Sequence, residues 1–124
     1  MSAEQSIQIV RDYLAGRGPD LLAEDAALID WTQPEPVRGR DAIEAAFHHY
    51  YEEAFSQASA KYRNWVASDD CVVLEFTFRG VNTGSLRGCP PTGKSVEVPM
   101  CAIYDVQDGT IRRLRLYYDS ALMP

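Results

Sequence analysis

A chain of 124 residues, 46% hydrophobic and 24% charged, has the size and make-up of one domain (1–124) around a single good-sized core. Its 18 acidic residues outnumber 12 basic ones, and a formal net charge of −6 argues against nucleic acid or an anionic membrane as partner. The opening MSAEQSIQIVRDYL lacks a basic-then-apolar leader pattern, and no apolar run is of bilayer length, so a cytoplasmic protein is expected.

In chain order, Ile7, Val10, Tyr13 and Leu14 recur at helical spacing and predict a first helix, ended by Gly16 to Pro19. DLLAED reads as a short second helix with Asp20 as N-cap. AALIDW reads as a first strand, and TQPEPVRG, with two prolines and a glycine, as a loop. Asp41 then caps a longer helix, DAIEAAFHHYYEEAF, whose Ile43, Phe47, Tyr50 and Ala54 share one stripe. His48 and His49 lie at the flanks of that stripe, and adjacent helical residues point apart, so at most one can face a cavity.

Beyond residue 59 the period changes to two. KYRNWVAS, CVVLEFTFRG, KSVEVPMCAIYDV and TIRRLRLYYD predict four strands, with tight turns at Asp69-Asp70 and Gln107-Asp108-Gly109. Helices followed by an antiparallel meander predict an α+β fold, one curved sheet wrapped around a long helix. Val72, Leu74, Phe76 and Phe78, with Leu114, Leu116 and Tyr118, are assigned to the concave side; Glu75, Thr77, Arg79, Arg113, Arg115 and Tyr117 are assigned to the convex one.

The loop between the second and third of these strands holds GCPPTGKS, residues 88 to 95, which spells the phosphate-binding pattern G-x-x-x-x-G-K-S. Pro90 and Pro91 remove two backbone donors from it, and SVEVPMCAIYDV after Lys94 reads as a strand where that motif needs a helix. No nucleotide binding is expected. The three cysteines, Cys71, Cys89 and Cys101, have no C-x-x-C spacing, and no thiolate pair accompanies the two histidines, so neither a metal nor another cofactor is expected.

LLAEDAALID followed by VRGRDAIEAAF, the stretch GVNTGSLRGCPPTGKSVEVP, and the ending DGTIRRLRLYYDSALM together resemble the SnoaL-like, polyketide-cyclase-related branch of the nuclear-transport-factor-two-like superfamily. The likeness covers nearly the whole chain, and Asn82 stands where the branch often has His. It implies a cone-shaped sheet around the long helix, an apolar pocket, and a homodimer through the convex sheet. The ketosteroid isomerases of the same superfamily place a catalytic aspartate before an E-P pair and a glycine, a spacing matched by Asp30, Glu35-Pro36 and Gly39. Tyr13 falls near their oxyanion-binding tyrosine, and Cys101 takes the place of their hydrogen-bond-donating aspartate.

These observations nominate Asp30, Asp119 and Tyr13 as catalytic residues. Asp30 ends the apolar run AALI, where a carboxylate is partly desolvated and suited to accept a proton from a carbon acid. Its alternative is a loop aspartate paired with Arg38 or Arg40. Asp119 matches the acid/base aspartate of the cyclases, with a capping role before SALM as its alternative. Trp31, Phe47, Tyr50, Phe76, Cys101, Leu116 and Tyr118 are expected to contact a small apolar molecule. The functions left in competition are cofactor-free isomerisation, cyclisation or dehydration of an apolar carbonyl compound, non-catalytic ligand binding, and a small interaction domain.

Overall fold

Ser2 opens the first helix by a reciprocal exchange: its hydroxyl accepts from the Gln5 N–H (3.2 Å) while the Gln5 amide oxygen accepts from the Ser2 N–H (2.7 Å). In the computed structural model, which describes residues 1–124, this helix is α1, Ala3–Leu14. Gly16 follows it at φ +74°, the left-handed conformation that ends a helix most cheaply in glycine.

The segment expected to form a second helix does so for three residues only, a 3₁₀ turn at Pro19–Leu21 entered from Gly18 without a side-chain cap from Asp20. Strand β1, Leu22–Asp30, then begins four residues before the predicted strand AALIDW. Its burial places Leu22, Ala23, Ala26 and Leu28 inside while Glu24 and Asp25 remain exposed, and this strand pairing overrides the helical look of DLLAED. Strand β2, Val37–Arg38, makes a short antiparallel edge on β1.

Helix α2, Arg40–His48, starts from Gly39, not from a cap at Asp41, and Gly39 at φ +94° is the residue whose backbone makes the corner. The chain then widens into a π-helical turn, His49–Ala54, which ends the predicted long helix and presents both Tyr50 and Tyr51 to the interior. Strand β3, Phe55–Ala67, follows with no loop, six residues earlier than the period-two pattern announced. Strands β4 (Cys71–Asn82), β5 (Ser95–Gln107) and β6 (Thr110–Tyr118) complete a six-stranded sheet in the order β2-β1-β6-β5-β4-β3. All neighbours are antiparallel except β1 and β6, which are parallel.

The expected hairpins at Asp69-Asp70 and Asp108-Gly109 are present, the second with φ of +52° and +79° as a two-residue turn requires. Helix α2 packs on β1, the π-turn on β3, and α1 on β3 and β4, which closes a core of 20 buried apolar residues. No helix is long and apolar enough to cross a membrane.

Candidate functional site

The inner face of the sheet is not filled by the helices. It opens onto a cavity of about 770 Å³ lined by Leu74, Phe76 and Phe78 of β4, Met100, Ala102 and Tyr104 of β5, and Leu114, Leu116 and Tyr118 of β6. Phe47, Tyr50 and Tyr51 close it from the helix side. The inward parity assigned from sequence to Leu74, Phe76 and Phe78 of β4 and to Leu114, Leu116 and Tyr118 of β6 therefore holds, since alternate residues of a strand face one side, although Arg115, assigned outward, also borders the cavity.

Polar groups converge at one wall. Asp30, at the end of β1, has a side chain only 15% exposed, and four donors bond to it. Its Oδ1 accepts from the backbone N–H of Thr32 (2.9 Å) and from the Thr32 hydroxyl (2.7 Å). Its Oδ2 accepts from the Tyr118 hydroxyl (2.8 Å) and from Arg87 Nη2 (3.1 Å). Burial, with the neighbouring Asp30 carboxylate adding to it, holds the Tyr118 phenol above its ordinary pKa, although Thr32 and Arg87 pull the other way. Tyr118 thus keeps its proton at neutral pH and is a donor. Tyr50 stands beside this cluster, its hydroxyl donating to Met123 Sδ (3.1 Å), and it too is pushed upward, chiefly by burial.

Arg87 reaches Asp30 from the tip of the loop between β4 and β5. Leu86 and Cys89 exchange two backbone hydrogen bonds (3.0 and 2.9 Å), and Arg87 and Gly88 between them have φ of +50° and +79°. This is a two-residue hairpin with a non-glycine residue in the left-handed region, a conformation of the kind held in place at functional sites. Leu86, 5% exposed, anchors the tip in the cavity wall. Asn82 fixes the base: its amide donates to the carbonyls of Ala54 (3.1 Å) and Gly84 (3.0 Å), and its oxygen accepts from the Thr92 N–H (2.8 Å) and hydroxyl (3.1 Å). The octapeptide that mimics a phosphate loop is the return leg of this hairpin, and Lys94 is followed by β5 and not by a helix.

An α+β cup with an apolar interior and one acidic, tyrosine-bearing wall is the class of protein that this geometry defines. The chain belongs to the SnoaL-like domain family, whose model matches residues 10–114. Comparison with curated proteins returns no match. Among solved structures, a candidate SnoaL-like polyketide cyclase from Jannaschia sp. CCS1 is similar with a TM-score of 0.81 and 22% identity, over 98% of this chain and 94% of that one. An NTF2-like protein from Burkholderia xenovorans LB400 gives 0.76 and 23% identity, over 99% and 95%. An epoxide hydrolase of M. tuberculosis, called LEH-like, gives 0.73 and 17% identity, over 98% and 87%. Likeness at these identities establishes the fold and leaves the chemistry to the residues.

Of the nominated residues, the structure brings together Asp30 and Tyr118 by direct contact, and Phe47, Tyr50, Phe76 and Leu116 around the same cavity. Tyr13 also lines the cavity, but its hydroxyl donates to Glu44 (2.9 Å) and not toward Asp30. Three placements are corrected. Asp119 lies outside the cavity, exposed, and caps the final 3₁₀ turn by accepting from the Ala121 N–H (2.9 Å). Trp31, one residue past the end of β1, is 57% exposed and stacks on Tyr117 with ring centroids 5.9 Å apart. Cys101 pairs in register with Glu75 and Tyr117 on the convex side, because Met100 and Ala102 take the inward positions.

The partner of Asp30 is also corrected, from Arg38 or Arg40 to Arg87; Arg40 instead donates to the Leu22 carbonyl (2.7 Å). Sequence reasoning missed Arg87 and Thr32. The Arg-Gly pair between Leu86 and Cys89 was the available signal for the tight turn that aims Arg87 inward. His49 lines the cavity and bonds Glu53 (3.0 Å), while His48 faces away toward Glu52.

Proposed function

We propose that the protein binds a small hydrophobic carbonyl compound and moves a proton on it without a cofactor, as an isomerase, cyclase or dehydratase would. The observation that carries this reading is the Asp30–Tyr118–Arg87 cluster at the wall of an otherwise apolar cavity. A substrate carbonyl entering beside Asp30 would replace Oδ2 as the acceptor for the Tyr118 hydroxyl and the Arg87 guanidinium. The freed oxygen then takes a proton from the adjacent carbon, the C–H pair of electrons moves into the enolate, and Tyr118 and Arg87 hold the charge on its oxygen. Return of the proton to a different carbon completes an isomerisation.

The test is hydrogen–deuterium exchange at the α-carbon of a panel of apolar ketones, followed by NMR. A positioned general base is worth about 10²–10⁴-fold, so Asp30→Asn is expected to lower the exchange rate by that factor. Exchange equally fast in the variant would sink the assignment. One observation favours non-catalytic binding as the second reading: both oxygens of Asp30 are already occupied by protein donors. Under that reading ketones bind and no exchange is seen with either protein.

The partner proposed for the convex face is a second copy of the chain. Trp31 and Tyr117 stack there, exposed beside the Arg113–Asp105–Arg115 group. Light scattering is expected to return twice the 13.9 kDa chain mass. A monomer at a hundred micromolar would refute it. A cytoplasmic location belongs to the same proposal, and fractionation of the source cells tests it.

A further inference from the structure

The cavity has a second group of polar atoms, far from Asp30 and assigned to nothing so far. Tyr51 on the π-turn, Tyr62 on β3 and Tyr104 on β5 all line it. Tyr104 is 4% exposed, and its hydroxyl has no hydrogen-bond partner within the protein. Tyr51 and Tyr62 are likewise without one. The one fully sealed and unpartnered side-chain nitrogen or oxygen is Arg115 Nε, so these hydroxyls keep open surface, and the surface they share is the cavity. Buried hydroxyls normally find a partner; Tyr62 is 46% exposed and can turn to water, so the unmet demand is that of buried Tyr104 and of partly buried Tyr51.

Strand geometry sets the separation from Asp30. Tyr118, bonded to Asp30, is in register with Met100, and Tyr104 lies four residues further along β5, about 13 Å by strand rise. Tyr62 is in the row of Tyr118 but three strands across, through Met100 and Phe76, about 14 Å by strand spacing. Between the two groups the wall is Phe76, Met100, Ala102 and Leu116.

We propose that Tyr51, Tyr62 and Tyr104 form a second binding subsite, which takes a neutral oxygen at the far end of the ligand. The ligand class is then an elongated apolar molecule with a carbonyl at one end and a hydroxyl or keto oxygen about 10 Å away, the span that the strand geometry leaves. Neutrality follows from the surroundings. The two arginines that line the cavity, Arg87 and Arg115, are already held by Asp30 and Asp105, so neither is free to attract a carboxylate there. Burial holds these phenols above their ordinary pKa, so they stay protonated and can donate. The assignment of the carbonyl end rests on the reading of Asp30 given above; the distal subsite does not.

Two probes separate the ends: 4-acetyl-4′-hydroxybiphenyl and 4-acetylbiphenyl, which differ only by the distal hydroxyl. Calorimetry on the full chain is expected to show the hydroxylated probe binding about three- to ten-fold tighter, as one neutral hydrogen bond allows. Tyr104→Phe, which removes one oxygen and no packing, should erase that preference and leave the affinity for 4-acetylbiphenyl unchanged. Tyr51→Phe serves as the second variant should the first fail to fold. Equal affinities in the wild type, no binding of either probe, or a preference that survives both variants would overturn the proposal. Tyr118→Phe, which removes a donor that the carbonyl would use, should weaken both probes alike and keep the distal preference; a preference kept with no weakening would discard the carbonyl end alone.

Discussion

The two faces of the sheet carry polar groups under opposite rules. On the outer face charges meet each other across strands: Arg113 and Arg115 both hold Asp105 (2.7 and 2.9 Å), Arg79 holds Glu97 (3.1 Å), and Asn64 donates to Glu75 (2.9 Å). Thr77 is sealed there by Arg63, which donates to its hydroxyl (2.7 Å). Solvent screens the Arg79–Glu97 pair, whose side chains are half exposed, so that pair contributes little; the Arg115–Asp105 pair is sunk deeper. On the inner face polar groups are few and of two kinds. Asp30 is saturated by donors, whereas the hydroxyls of Tyr51, Tyr62 and Tyr104 have none. On the inner face, unmet hydrogen-bonding capacity, more than charge, is what distinguishes the proposed distal subsite from the Asp30 wall.

The largest test of this contrast lies where a buried polar group is fully satisfied. Asn82→Ala would leave the Thr92 N–H and two carbonyls without their partner, so a loss of about 2–4 kcal/mol in unfolding free energy is expected by urea denaturation. A loss below about 1 kcal/mol would mean that water replaces the amide and that the loop base is not sealed.

Next in size is the alkaline limb of stability. Burial, then the nearby Tyr62, pushes the Tyr51 phenol from its ordinary value of 10.0 up to about 12. The folded state therefore holds this proton more tightly than the unfolded chain. Its contribution is fully present below pH 10 and is lost as pH rises through about 12. Two units correspond to roughly 3 kcal/mol as an upper bound, so melts between pH 9 and pH 12 should fall less steeply for Tyr51→Phe by roughly 1–3 kcal/mol. Parallel curves for the two proteins would show Tyr51 to be open to water.

The outer face should respond least. Glu97→Gln removes the charged acceptor of Arg79 and is expected to cost about 1 kcal/mol at most, shrinking in high salt, with ligand binding unchanged. A cost of several kcal/mol that ignores salt would make this face part of the core.

Much of this was legible in the chain because period and turn chemistry are local. The four-strand meander and the inward parity of Val72 to Phe78 and of Leu114 to Tyr118 follow from neighbouring residues, whereas Asp30 was nominated through its spacing match to the ketosteroid isomerases. What failed was ambiguous in the same terms. In SVEVPMCAIYDV both parities are apolar, and only Glu97 and Asp105, on the same parity as Cys101, marked that side as outward. Trp31 follows the last strand residue, where alternation no longer rules its direction. DLLAED has helix-forming residues that strand pairing to β6 overrides. Arg87 was invisible for a different reason: its contact with Asp30 spans 57 residues and depends on a loop conformation that no periodicity encodes.

That loop conformation bears on how the protein would change under selection. Arg87 sits at φ +50°, where an L-residue with a long side chain costs about 1–2 kcal/mol and glycine almost nothing. A laboratory evolution run that rewarded heat resistance alone would find glycine or asparagine at position 87 early, because either relaxes the turn. The survivors would be hardier and would have lost the guanidinium from the cavity wall. Screening for ligand retention and thermal endurance in alternate rounds would instead keep arginine and gather its gains elsewhere, leaving position 87 as the site where the two pressures oppose each other.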